Sequence, residues 1–289
     1  MRSLLVAAVA SIGVVASAGA EAAGAPRVPR LERIVVVVFE NKDYDEVIGA
    51  ESAPTFNLMA RRHALLRGYY AVAHPSLPNY LALVSGSTHG LTENCTECVF
   101  DARNLADTIE ASGRTWKAYL QGLPLRGYTG ARWGRYVKRH NPFPYFRSVV
   151  YRPARLRRMV PLYEFRRDLE RKRLPDFSFV VPDLCSGMHD CPVATGDRWL
   201  KQFLTPLLSS PQLEGGVVFV TFDEASDRDV RGGGGRIATL ALGPTVRPAA
   251  ASSRGMNHYG LLRTIEDGWG LPRLGRSATA NAVTGIWRD

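Results

Sequence analysis

The chain has 289 residues, 45% of them hydrophobic and 22% charged, long enough and apolar enough to bury the core of one large domain. Its 37 Lys and Arg outnumber 27 Asp and Glu, for a net charge of +10. Such a charge bears on solubility and anionic partners rather than on fold. No nucleic-acid motif and no aromatic interleaving accompany it, which argues against a dedicated nucleic-acid module.

The first element in chain order is a targeting pattern. Met1-Arg2-Ser3 precedes an almost wholly apolar run from Leu4 to Ser17, then small residues through Ala25. A charged start, a short apolar region and small-residue cleavage options predict a secretory signal peptide over 1–23 and an exported protein, extracellular or in the cell envelope. The apolar run is shorter than the ~20 residues of a membrane span, and no other segment is long and apolar enough to cross a bilayer. A single catalytic domain is read over 31–289.

Ile34 to Phe39 is a β-branched run that predicts a strand buried on both faces, and it ends abruptly in Glu40-Asn41. Thr55 to Arg62 reads as a helix. The turn His74-Pro75-Ser76-Leu77-Pro78-Asn79-Tyr80 leads into a predicted helix over Asn79 to Val84. Leu105 to Ala111 follows as helix and Thr115 to Tyr119 as strand. Arg152 to Arg173, with Arg157, Arg158, Arg166 and Arg167, reads as a solvated helix face, or as a surface that gathers anionic substrates or envelope polymers. Leu162 to Arg171 supplies that helix.

Phe177 to Val181 and Val217 to Phe222 repeat the buried-strand character, and Ile237 to Leu242 is a fourth strand. The second of these ends in Asp223-Glu224. Helices are predicted over Gly196 to Leu208 and Tyr259 to Asp267, and Gly232 to Gly235 as a flexible loop at the rim of the Asp223 cluster. Strands alternating with helices argue for an α/β sandwich with a mostly parallel sheet. The four cysteines lie as close pairs, and an even count in an exported chain favours disulfides. Cys95–Cys98 and Cys185–Cys191 is the preferred pairing among the three connectivities that sequence leaves open.

In open α/β sheets, ligands and chemistry sit at the carboxyl ends of strands. Ser76 at a helix entrance is either an N-cap or a nucleophile that profits from the positive helix end. Glu40, Asn41, Asp223 and Glu224 tip the balance, because hard oxygen donors suit Mg²⁺, Ca²⁺ or Mn²⁺ and a cation would activate the hydroxyl. Asp183, His189 and His258 form a second polar set of the kind found in catalytic zinc sites. His140, in Lys138-Arg139-His140-Asn141-Pro142, is a candidate donor to a phosphoryl oxygen or leaving group.

Taken together, Phe39-Glu40-Asn41-Lys42, His74 to Tyr80, Lys138 to Phe143, Pro182 to Cys185 with Met188-His189-Asp190, Thr221 to Glu224, and Asn257 to Glu266 resemble the phosphoesterase family of bacterial acid phosphatases and phospholipases C, within the alkaline phosphatase superfamily. The resemblance runs from about Ile34 to Leu271. It implies a three-layer, alkaline-phosphatase-like α/β sandwich in which Ser76 is phosphorylated during turnover and Asn79 contacts the phosphoryl group. It also implies that Glu40, Asn41, Asp223 and Glu224 hold a divalent metal that touches Ser76. Asp183, His189 and His258 would hold a second metal or bind phosphate as donors, with His140, His189 or His258 protonating the leaving alcohol. The expected activity is secreted phosphomonoester hydrolysis of acid-phosphatase type. Phospholipase C action on a phospholipid head group is the alternative, and an inactive binding protein a third.

Overall fold

The structure is a computed structural model and describes residues 28–288, so the signal peptide read over 1–23 lies outside the described residues. Eight strands form the central sheet: β1 (Ile34–Phe39), β2 (Ala64–Leu66), β3 (Trp116–Leu120), β4 (Met159–Pro161), β5 (Phe177–Val181), β6 (Val217–Phe222), β7 (Leu240–Leu242) and β8 (Ala250–Ser252). Their spatial order is β8-β2-β7-β6-β1-β5-β3-β4. The run Ile34–Phe39 is buried at every position because β1 lies at the sheet centre, parallel to β5 on one side and β6 on the other. Only β7 runs against its neighbours β6 and β2.

Helices α1 (Pro54–Arg62), α2 (Ser76–Ser85), α3 (Leu105–Ala111), α4 (Tyr163–Glu170), α5 (Val193–Leu208) and α6 (His258–Trp269) cover the sheet. Phe39 meets Phe56 of α1 and Trp199 of α5 on one face, with ring centroids 5.3 and 5.6 Å away. On the other face Phe179 meets Tyr80 of α2, and Phe177 meets Trp269 of α6. Three layers around one contiguous core result, as the alternation of strands and helices predicts. Cys95 pairs with Cys98 and Cys185 with Cys191. No helix among the described residues is long and apolar enough to cross a membrane.

Three expectations are corrected by the packing. The basic stretch is not one solvated helix: Met159–Pro161 inside it is the buried edge strand β4, and Arg155 is buried in ion pairs with Asp107 and Glu110 of α3. The strand expected from Ile237 begins only at Leu240. Helix α2 begins at Ser76, three residues before the predicted start.

Candidate active site

Glu40 and Asp223 follow the last residues of adjacent parallel strands, Phe39 and Phe222, whose register sets them side by side. The Asp223 N–H donates to the Phe39 carbonyl, and the Asn41 N–H donates to Asp223 Oδ1. Asn41 adopts a left-handed φ of 45°, which Asn tolerates better than most residues and which turns its side chain back over the sheet end. From there Asn41 Nδ2 donates to Glu224 Oε1 at 3.3 Å.

Ser76 is the first residue of α2 and is 3% exposed. Its hydroxyl caps nothing; Oγ donates to Glu224 Oε1 at 2.8 Å. The N-cap reading therefore gives way to a hydroxyl aimed at a carboxylate. The next amide, Leu77 N–H, is held by Asn94 Oδ1 at 3.0 Å. The other Glu224 oxygen, Oε2, bonds to His74 Nδ1, and His74 Nε2 donates to the Asp229 carbonyl at 3.0 Å. A chain of contacts, Ser76–Glu224–His74–Asp229, runs from the buried hydroxyl to the loop after β6. His74 and Asn94 were not read as site residues. The signal for His74 was its place in the seryl turn, but its partner lies 150 residues away.

Glu40, Asn41 and Asp223 share a feature. Glu40 Oε2, Asn41 Oδ1 and Asp223 Oδ2 are buried and have no hydrogen-bond partner. Burying an anionic oxygen without a partner is costly. Two carboxylates and an amide carbonyl beside a hydroxyl are the donor types a hard divalent cation takes, so these residues fit one. Among the described residues no set of three or more His, Cys, Asp and Glu side chains is arranged to hold a metal, so the fit rests on this mixed set. Electrostatics point the same way. Burial and then Asp223 hold the Glu40 carboxyl well above the usual carboxylate range, burial raises Asp223, and burial with Asp223 pushes Glu224 up to about 7. A cation here would relieve that crowding of acids. Glu224 differs from the other three in having both oxygens spent on hydrogen bonds.

Around this centre, Tyr80 donates its hydroxyl to Glu40 Oε1, and His140 Nδ1 lies 3.1 Å from the same oxygen. The His140 ring stacks on Tyr80, is buried, and keeps Nε2 without a partner. Burial, with Arg139 and His189, holds its pKa well below the ordinary value. With Glu40 ionised, Nδ1 carries the proton and Nε2 a bare lone pair, so His140 is placed to accept or to bind a cation rather than to donate.

Other expected site residues have their polar atoms engaged by the chain itself. Asn79 spends its whole amide on the turn before Ser76: Oδ1 accepts from Val72 and Ala73, and Nδ2 donates to the Ala73 and Pro75 carbonyls. It braces the turn and has no atom left for a phosphoryl group. The second metal set is likewise not assembled. Asp183 Oδ1 accepts from Cys185 and Ser186 N–H, and His189 pairs with its neighbour Asp190. His258 is buried between the Tyr69 hydroxyl and the Asp223 carbonyl, and burial lowers it to about 4. Both of its nitrogens are taken. The Gly232 to Gly235 run is no free flap either. A Cβ at Gly232 would sit 2.7 Å from that of Tyr70, and one at Gly233 (φ 105°) would strike the Val72 carbonyl. The glycines let this loop close against the segment that leads to Ser76.

A nucleophile-like hydroxyl and an acidic, oxygen-rich centre at the carboxyl ends of parallel strands define an α/β hydrolytic enzyme with the alkaline phosphatase superfamily fold. The fold is shared with a superfamily protein from Vibrio parahaemolyticus, at a TM-score of 0.62 and 14% identity over 89% of this chain and 72% of that one. Residues 50–272 match the Phosphoesterase family, and the chain belongs to it: it is a hydrolase of phosphoric esters. It is 34% identical to a phosphatidylinositol-3-phosphatase of Mycobacterium tuberculosis over 98% of this chain and 89% of that protein. An acid phosphatase of Aspergillus niger is 31% identical over 84% of this chain, which spans only 60% of that protein's length. A non-specific phospholipase C1 of Arabidopsis thaliana is 24% identical over 60% of this chain and 32% of that protein.

Proposed function

We propose that the protein is a secreted, divalent-metal-dependent phosphomonoesterase of acid-phosphatase type that works through a phosphoserine on Ser76. The observation that carries this reading is Ser76 Oγ held 2.8 Å from Glu224 at the start of α2, beside three buried oxygens without partners. Glu40, Asn41, Asp223 and Ser76 would hold the cation, which when bound balances the acids and stabilises charge on the serine and phosphoryl oxygens. Glu224, with a pKa near 7, takes the Ser76 proton as Oγ attacks phosphorus. The bond from phosphorus to the ester oxygen breaks, and the leaving alkoxide takes its proton from solvent water. Water then attacks the phosphoserine and Glu224 returns a proton to Ser76.

Relatives named as phosphatases at 34% and 31% identity favour a monoester over a phospholipase-type diester. Export rests on the Met1 to Ala25 pattern and on two disulfides, which persist in oxidising compartments. The test is hydrolysis of a chromogenic phosphate monoester and the matching diester by chelator-stripped protein resupplied with Mg²⁺, Ca²⁺, Mn²⁺ or Zn²⁺, beside Ser76→Ala. Metal-restored monoester turnover, with acid-quenched enzyme carrying phosphate on Ser76, is expected. Equal turnover by stripped protein would remove the metal from the reading, and turnover by Ser76→Ala would remove the phosphoserine.

A further inference from the structure

Away from the serine, an apolar groove of about 1200 Å³ runs between α4 and α5. Its floor is aromatic: Trp199 and Phe203 stack with centroids 5.1 Å apart, and Phe165 lies 4.7 Å from Phe203. Tyr163 stands on the rim, 65% exposed. The size and lining are those of a ligand-binding cleft rather than of a packing defect.

The rim is cationic. Arg166, Arg198 and Lys201 border the groove against one acid, Glu170, which is already paired with Arg166. Among the described residues neither Arg198 nor Lys201 has a carboxylate at ion-pair distance. The bias extends beyond the rim. Residues 121–175, which wrap the β4 edge and build one wall, hold 15 Lys and Arg against three Asp and Glu; the rest of the chain holds 22 against 24. The protein's whole net positive charge therefore resides in this one segment.

An apolar trough with an exposed aromatic and unpaired cations around it matches a ligand that is apolar below and anionic above. We infer that this face docks the protein on an anionic phospholipid bilayer, with lipid acyl chain entering the groove and lipid phosphates meeting Arg198 and Lys201. The groove ends at Gln121, just past β3. Gln121 Nε2 donates to Ser186 Oγ, in the loop whose Gly187 carbonyl receives the Glu40 N–H. The groove and Glu40 thus both touch the loop that follows β5. Docking does not depend on the reading of Ser76; delivery of a lipid phosphate ester to that serine does.

The test is sedimentation of the full chain with phosphatidylcholine vesicles, with and without phosphatidylserine. Variants are Tyr163→Ser, the double variant Arg198→Gln/Lys201→Gln, and Arg61→Gln/Arg62→Gln as a charge-matched control on α1. Turnover of a soluble phosphate monoester is read in parallel, should be unchanged in every variant, and shows that each is folded. Wild type is expected to sediment only with phosphatidylserine vesicles. The groove double variant should lose about 30-fold in affinity, at roughly fivefold per cation, Tyr163→Ser several-fold, and the control little. Failure of wild type to sediment overturns the inference. So does a control that loses as much as the groove variant, which would make the attraction diffuse. A Tyr163→Ser variant that binds normally, with heparin displacing the vesicles, would make the face a polyanion site and overturn the lipid assignment.

Discussion

Two polar clusters follow buried strands of this sheet, and they look alike as strings of residues. One, after β1 and β6, contains Glu40, Asn41 and Asp223; the other, after β5, contains Asp183 and His189 and was expected to gather His258. In the first, each side chain keeps one buried oxygen without a partner. In the second, Asp183 closes a turn, His189 pairs locally, and His258 has both nitrogens engaged. Residue type nominates a site, but the balance of donors and acceptors distinguishes groups held for a ligand from groups that brace the chain.

The largest effect is expected at the hydroxyl beside the first cluster. Ser76→Ala should lower kcat by at least about 10³-fold while the thermal midpoint stays close to that of the wild type, read by steady-state kinetics and a melt. The sharpest contrast pairs Glu40→Gln with Asp183→Asn. Glu40→Gln should cost roughly 10²-fold in turnover and weaken divalent-metal binding measured by calorimetric titration. Asp183→Asn should keep turnover within a few-fold and cost about 1 kcal/mol in urea unfolding, through its two backbone donors. Equal losses in both would erase the distinction between the clusters.

A smaller effect is expected at His74, which touches the site only through Glu224. His74→Gln should reduce kcat by about 10-fold with KM unchanged, as for loss of a group that orients another. A rise in KM alone would place His74 against the substrate instead.

The smallest effect calibrates what a buried acid with no chemical task does. Glu266 is fully buried, accepts from Leu274 N–H and Ser277 Oγ, and burial pushes it up to about 7 from an ordinary 4.5. Because the folded value is raised, its contribution to stability is full below about pH 4.5, declines as the pH rises, and is lost above about pH 7. Glu266→Gln should therefore gain on the wild type between about pH 4.5 and about pH 8 in urea unfolding. A constant difference across that range would mean that the carboxyl keeps its ordinary pKa.

Much of the frame was legible in the chain. Ile34–Phe39, Phe177–Val181 and Val217–Phe222 stand as strands at the bounds their apolar runs predict, because a run buried on both faces has no other secure place than the middle of a parallel sheet. The close cysteines pair locally. Misreadings arose where a distant partner decides. Arg152 to Arg173 looked solvated until α3 supplied Asp107 and Glu110 and the sheet took Met159–Pro161 as its edge. Asn79 looked like a ligand contact until the preceding turn consumed its amide, and Gly232 to Gly235 looked mobile until Tyr70 and Val72 closed over it.

By itself the sequence determined the layers, the family, and which acids, amides and hydroxyl stand at the ends of strands, because periodicity and chemistry are local properties of the chain. Only the tertiary structure decided that Ser76 points at Glu224, that His74 backs it from 150 residues away, and that Glu40, Asn41 and Asp223 keep oxygens to spare. Hydrogen-bond satisfaction and desolvation belong to the packed state. They depend on which groups meet after residues far apart in the chain have been brought together and water has been removed.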